Sequence, residues 1–355
     1  MSVIALDPYL YGGIEDETFG SNLCIFKWPE PFSVTPDATP RIEELYHPGA
    51  GRQLSPLSLD LPLSIPDLLT PQNPRSLVRR SMGKPLAQTS ADILLRMFGS
   101  FTSMMARKET FPPFINSKCF SNIPGKENEI PEALVNCMSL SRMFAERTAG
   151  TSKLLWRTIR MEHERLWFQH DSFNNWELLA AVQALMIYAL MRIIDGETEH
   201  NDFDVPLMIS VNSICQRLAD RIGGGDYHNI ISDQKAWHDW VFYESRRRFI
   251  IIARILNLLV DMGHSLTCSS LPGFILVPLP SKKVLWEAPN EEVWQKEFET
   301  TLRAREIFGV TTEGRLVRLV QEMNRITATN AEWEEWYAGS DGFGSLVMLA
   351  ASLLG

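Results

Sequence analysis

From residue 85 onward, apolar positions recur three and four residues apart, the spacing that puts them on one side of an α-helix. Between Thr89 and Met105 the pattern runs through Ile93, Leu94, Met97, Phe98, Phe101, Met104 and Met105. Thr89 or Ser90 is the expected N-cap, and Phe111-Pro112-Pro113-Phe114-Ile115 ends the helix. Pro131 suits the first turn of a helix running to Arg147, and Ser152 to His170 forms the next. Ser172 to Asp195 is apolar nearly all round, which predicts the centre of a bundle. Two more helices are expected: Val205 to Ile222, stopped by Gly223-Gly224-Gly225, and Asp233 to Met262, closed by Gly263. The proline-interrupted stretch Leu271 to Pro289 reads as extended or turning. Glu291 to Phe308 reads as an amphipathic helix, and Glu332 to Tyr337 and Phe343 to Leu354 as short terminal helices. No stretch sustains a period of two, and no internal repeat of fixed period is visible. The expected fold is all-α, an irregular multi-helix bundle spanning 85–355.

Residues 1–84 break the pattern. More than half of the 21 prolines lie between Pro8 and Pro74, and acids outnumber bases there. Prolines at that density forbid long helices and sheet interiors, so a largely disordered segment is expected. Phe26, Trp28 and Phe32, then a run of leucines from Leu54 to Leu69, are scattered among the acids. Such a mixture serves either as an activation segment or as a plain linker that packs a few side chains on the domain.

The densest charge in the helical part is Trp237-His238-Asp239-Trp240-Val241-Phe242-Tyr243-Glu244-Ser245-Arg246-Arg247-Arg248, which runs straight into the apolar Phe249 to Ile252. Trp237, Trp240 and Glu244 share a helix face. Guanidiniums beside indoles and a carboxylate predict a packed ionic and cation–π knot rather than a solvated basic surface. A chain of net charge −9, with its one dense basic run engaged internally, lacks the electrostatic footprint of an autonomous nucleic-acid binder, and anionic membranes are disfavoured too.

Five dispersed cysteines (Cys24, Cys119, Cys137, Cys215 and Cys268), with no CxxC, read as free thiols in a reducing compartment. The first residues carry neither a basic n-region nor a long apolar h-region. The interior apolar stretch Leu178 to Met191 is short for a bilayer span. A protein of the nucleus or cytosol is expected.

Several constellations hold the residue types of catalysis without the required spacing. Asp195, Glu197, Glu199, Asp202 and Asp204 invite comparison with the diphosphate-holding carboxylates of terpene cyclases. Gly196 breaks the helix among them, however, and a solvated loop is expected. Glu162, His163, Glu164 and His170 resemble a zinc-protease pattern, but the histidines are seven apart rather than four, so a charged helix face is expected. Ser269, Ser270, His264 and Asp261 supply triad chemistry without a GxSxG elbow. Gly223-Gly224-Gly225-Asp226 lacks phosphate-loop spacing, and Arg79-Arg80 with Lys84 is a sparse import patch. No catalytic, cofactor-binding or metal-binding residue is assigned, and no enzyme activity is expected.

Taken in order, several of these segments resemble the fungal-specific transcription factor domain, the helical regulatory region that follows Zn2Cys6 binuclear clusters. The similar segments are Phe111-Pro112-Pro113-Phe114-Ile115, Ile130-Pro131-Glu132-Ala133-Leu134 with Cys137 and Phe144, and Trp176-Glu177-Leu178 through Tyr188. They continue with the W-x-x-W-x-x-x-E-S-x-R-R run from Trp237 to Arg248, then Leu279-Pro280 and Leu285-Trp286-Glu287-Ala288 with Trp294 and Glu297. Trp333-Glu334-Glu335-Trp336 and Phe343-Gly344 resemble the ending. The resemblance implies a nuclear regulator of transcription. The family's cluster needs six cysteines in a short basic segment, whereas residues 1–75 hold Cys24 alone and are acidic. The expectation is therefore a regulator that acts through protein partners, either a DNA-binding factor or a second copy of itself. Direct contact with nucleic acid or membrane is not expected. Control of a secondary-metabolite gene cluster is the role such short members suggest. The alternatives are a metal-dependent all-α enzyme of terpene-cyclase type and a small-molecule-sensing bundle whose pocket is lined by aromatics and some of the fourteen Met.

Overall fold

The computed structural model describes residues 76–107, 110–122, 130–222, 236–261, 273–300, 307–319 and 325–354. The proline-rich stretch to residue 75, Gly223-Gly224-Gly225 and Gly263 lie outside them. Ten α-helices dominate the described residues, so the class is all-α. The first five are α1 (Pro85–Ala106), α2 (Glu132–Ala145), α3 (Ala149–Gln169), α4 (Asn175–Asp195) and α5 (Asp204–Ile222). They are followed by α6 (Trp237–Leu259), α7 (Lys283–Trp286), α8 (Glu291–Thr300), α9 (Asn330–Ala338) and α10 (Gly342–Ala351).

Helix α4 is the hub. Every residue from Leu178 to Ile193 is buried, and the helix packs against α1, α2, α3, α5 and α6. By length and composition it could cross a membrane, yet it lies inside the fold. Its start is set by a reciprocal capping box: the Glu177 amide donates to Asn174 Oδ1 at 3.0 Å, and the Asn174 amide donates to the Glu177 carboxylate at 2.7 Å. Gly196, at φ 78°, ends it. The polar interruption in its apolar surface, Gln183, donates to the Phe114 carbonyl at 2.7 Å and so ties the Phe111–Ile115 segment to the hub.

Several expected starts are displaced: α3 opens at Ala149 rather than Ser152, and α4 at Asn175 rather than Ser172. Helix α1 begins at Pro85, four residues before Thr89, with no side-chain cap. Proline in the first turn lacks only an amide hydrogen that would be unpaired anyway, and Thr89 instead donates its hydroxyl back to the Pro85 carbonyl at 3.1 Å. Pro131 occupies the cap position of α2 rather than its first turn.

Residues 76–84, assigned by composition to the N-terminal segment, hold to the helical body. Leu77 is fully buried, and β1 (Val78–Arg79) pairs antiparallel with β2 (Val260–Asp261) at the end of α6.

The larger departure is a four-stranded antiparallel sheet in the order β3 (Phe274–Leu276), β4 (Ile307–Thr311), β5 (Leu316–Leu319) and β6 (Arg325–Thr327). The helix expected from Glu291 to Phe308 stops at Thr300, and Phe308 lies in β4. The run Ile307-Phe308-Gly309-Val310-Thr311 is β-branched and aromatic, and a turn at Glu313-Gly314 with Gly314 at φ 74° returns it. Strands of three to five residues are too short to show a period of two. Gly309 is required here, because a Cβ would stand 2.9 Å from two carbons of the Phe274 ring.

Trp240 on α6 is 4% exposed and packs at 5.9 Å between ring centroids on Trp294 of α8. Replacing it with Ala should lower the unfolding free energy by about 3–5 kcal/mol. A urea midpoint unchanged from wild type would show that this indole is not a core anchor.

Candidate functional site

The charged residues singled out in the sequence are mostly inside the molecule, and they gather at two nodes. The first forms on α6. Glu244 is 1% exposed and Arg248 fully buried, while the Arg247 side chain keeps 14% of its exposure and Arg246 is also buried. Glu244 accepts three hydrogen bonds: Arg248 Nε (2.9 Å) and the Ser281 amide (2.9 Å) reach Oε1, and the Ser281 hydroxyl (3.0 Å) reaches Oε2. Arg247 forms an ion pair with Oε2 at 3.0 Å and donates from Nη1 to the Ser281 hydroxyl at 3.0 Å. Arg248 continues to Asp341 Oδ2 at 2.6 Å and to the Pro113 carbonyl at 3.3 Å. Asp341 in turn accepts the Phe343 amide at 3.0 Å and caps α10.

The knot expected from sequence is present, but its aromatic members differ. The Arg248 guanidinium lies 4.1 Å from the Trp286 ring centre and 5.3 Å from that of Phe343, not against Trp237 or Trp240. Glu244 is one turn behind Arg248 and Trp240 two turns behind, about 12 Å along the axis and beyond its reach.

The second node takes Asp195 and Asp204 out of the acidic loop that was expected to be solvated. Asp204 is fully buried and pairs with the equally buried Arg192 at 2.7 Å. Arg192 also donates to Thr198 Oγ1 (3.0 Å), Asn201 Oδ1 (3.1 Å) and the Gly196 carbonyl (3.3 Å), and it lies 5.0 Å from the Trp156 ring centre. Asp195 accepts the Trp156 indole at 2.8 Å and Arg147 at 3.0 Å. Asp202 pairs with Arg160 at 2.6 Å, which holds its carboxyl below the usual range. Glu197, Glu199 and Asp202 stay at the surface. Carboxylates held by arginine at this density are not arranged as ligands for a metal–diphosphate. Sequence reasoning missed Arg192 and Trp156. The signal was there, since a lone cation in a helix apolar all round must find a buried anion.

Glu162 and His163 are buried rather than part of a charged outer face. Glu162 receives Arg165 in a two-pronged contact at 2.8 and 2.7 Å, and Asn136 at 3.1 Å. His163 Nε2 lies 2.7 Å from the Ser210 hydroxyl, with the ring edge-on to Phe203. Glu164 points outward, and His170 stacks on Trp167. Among the described residues no three His, Cys, Asp or Glu side chains gather as a metal site would require. Of the triad residues, Asp261 is exposed and pairs with Arg80 at 3.6 Å; Ser269, Ser270 and His264 lie outside the described residues, as does Gly223-Gly224-Gly225-Asp226. Cys137 is fully buried, and burial pushes its thiol up to about 12, which leaves it unreactive.

A recess of about 630 Å³ opens between α1, the end of α2 and the end of α4. Leu95, Phe144 and Ile194 form its apolar wall. Arg79, Arg96 and Arg147 border it together with Asp92, Thr102 and Ser103. It holds one aromatic ring and no methionine, unlike the pocket expected of a sensing bundle. Arg80 is turned to Val260 and Asp261, so the sparse basic patch is divided between this recess and the β1–β2 contact.

No family profile matches the chain. No solved structure matches it either. Over 186 residues it is 20% identical to the transcription factor gsfR2 of Penicillium aethiopicum. The match covers 49% of this chain and spans less than half, 44%, of that relative. The chain is therefore similar to a fungal transcription factor over about half its length.

Two outcomes follow from the nodes. Arg248→Ala strands Glu244 and Asp341 and should cost about 3–5 kcal/mol, whereas Arg247→Ala, nearer the surface, should cost about 1 kcal/mol. Equal losses in chemical denaturation would remove Arg248 from the centre of the knot. Burial also holds His163, His200 and His238 below the ordinary histidine value of 6.5. The unfolded chain then takes up protons near 6.5 while the folded chain does not, so stability falls as pH drops from about 7. Urea midpoints should decline over that range, and His163→Gln should flatten the decline. An unchanged slope in the variant would count against it.

Proposed function

We propose that this chain is a non-enzymatic regulator of transcription, with the fungal-specific transcription factor domain as its helical body and the nucleus as its site of action. The observation that carries this reading is the match to a fungal transcription factor over half the chain. It is supported by the convergence of the residues that carry the resemblance. Pro113, Glu244, Arg247, Arg248, Trp286 and Phe343 come from four separated motifs and meet at one node.

These 355 residues act on genes through protein partners, a DNA-binding factor or a second copy, rather than by reading a duplex. Five dispersed cysteines cannot build a six-cysteine cluster. Arg192, Arg247 and Arg248 are held by carboxylates inside the fold. Control of a secondary-metabolite gene cluster is the process we assign to it.

Fluorescence anisotropy of the full chain with duplex DNA at about 150 mM salt should show weak, sequence-indifferent binding that disappears as salt rises. The same chain fused to a heterologous DNA-binding domain should change expression from a reporter. Tight sequence-selective binding by the unfused chain would overturn the partner-dependent reading. A silent fusion would overturn the regulatory one.

A further inference from the structure

The outer face of α3 carries a pattern that the core does not explain. Leu154, Met161 and Phe168 are 58%, 60% and 79% exposed. They stand seven residues apart, so on a helix they form one ridge, with Leu154 and Phe168 each about 10 Å from Met161 along the axis. Large apolar side chains exposed singly are ordinary, but three in register on one helix mark a contact surface. Beside the ridge stand Arg157, four residues before Met161, and Glu164, three after. Both are exposed, as is Lys153 one turn before Arg157. The other two arginines of this part of the helix are already held, Arg160 by Asp202 and Arg165 by Glu162 and Glu132. The exposed charges on this flank are thus Lys153, Arg157 and Glu164, of which Arg157 and Glu164 stand almost symmetrically about Met161.

We propose that two copies of this chain associate through α3, packed antiparallel about a two-fold axis at Met161. In that arrangement Met161 meets its own counterpart and Leu154 lies over Phe168 of the second copy. Arg157 stands about 1.5 Å in axial level from Glu164 of the second copy, on the same side of the helix pair. A parallel two-fold pairing would put the two Arg157–Glu164 flanks on opposite sides of the seam and form no such pair, so the charges favour the antiparallel one. The contact is isologous and closes at two. One helix face buries less than a standard interface, so the dimer is a reversible one. The inference rests on α3 alone and stands whether or not the chain binds DNA.

Sedimentation equilibrium on the full chain, up to about 100 µM, should show a monomer–dimer equilibrium. Met161→Glu should abolish it while leaving the circular dichroism melt unchanged, because the side chain faces water. Arg157→Glu alone and Glu164→Arg alone should each weaken the dimer. Mixing these two variants should restore it, since the hybrid pairs Glu with Arg at both contacts. The inference is overturned if the wild type stays monomeric throughout. It is also overturned if the dimer survives Met161→Glu, which would place the contact elsewhere, or if the mixed charge variants associate no better than each alone.

Discussion

A carboxylate sealed from water must be paired and hydrogen-bonded, and in this protein Glu244 sets that demand at the centre of the C-terminal half. Its own helix meets part of it: Arg248 donates and Arg247 adds a second cation, while two further donors come from Ser281, which is thereby fixed at the entrance to α7. The guanidinium drawn in to answer Glu244 is itself buried and calls for a second anion, which Asp341 provides. Four stretches remote in sequence are thus held in one place by the cost of leaving a charge unpaired in a medium of low dielectric. The Arg192–Asp204 pair does the same at the far end of α4, where it folds the loop from Gly196 to Asp204 back on the helix.

The helices were legible because their signals are local. The three-and-four spacing of Leu94, Phe98, Phe101 and Met105, the continuous apolar surface of α4 and the Trp–Glu–Arg run of α6 all depend on neighbours a turn away. The hairpin at Glu313-Gly314 was less legible. Its strands are short, and the need for glycine at Gly309 comes from Phe274, more than thirty residues earlier. Acidic clusters misled for the same reason. Asp195 and Asp204 look like surface residues until Arg147, Trp156 and Arg192 are brought to them by tertiary packing. The recess bordered by Arg79, Arg96 and Arg147 draws on three elements that no linear motif connects.

The distribution of charge also bears on what kind of molecule this is. Arginine is the residue best suited to phosphate, and the chain places Arg192 and Arg248 where no phosphate can reach them. In this structure Trp286 covers the Arg248 guanidinium, Glu244 faces both Arg247 and Arg248, and Pro113 presents its carbonyl to Arg248. Among the described residues the exposed surface carries charges of both signs and a few large apolar side chains.

Asp341 lies 93 residues beyond Arg248. During synthesis α6 is made long before its second counter-ion, and until Asp341 follows, the guanidinium has Glu244 alone to draw it out of water. A chain lacking that aspartate would bury Arg248 with half of its ion pairing missing.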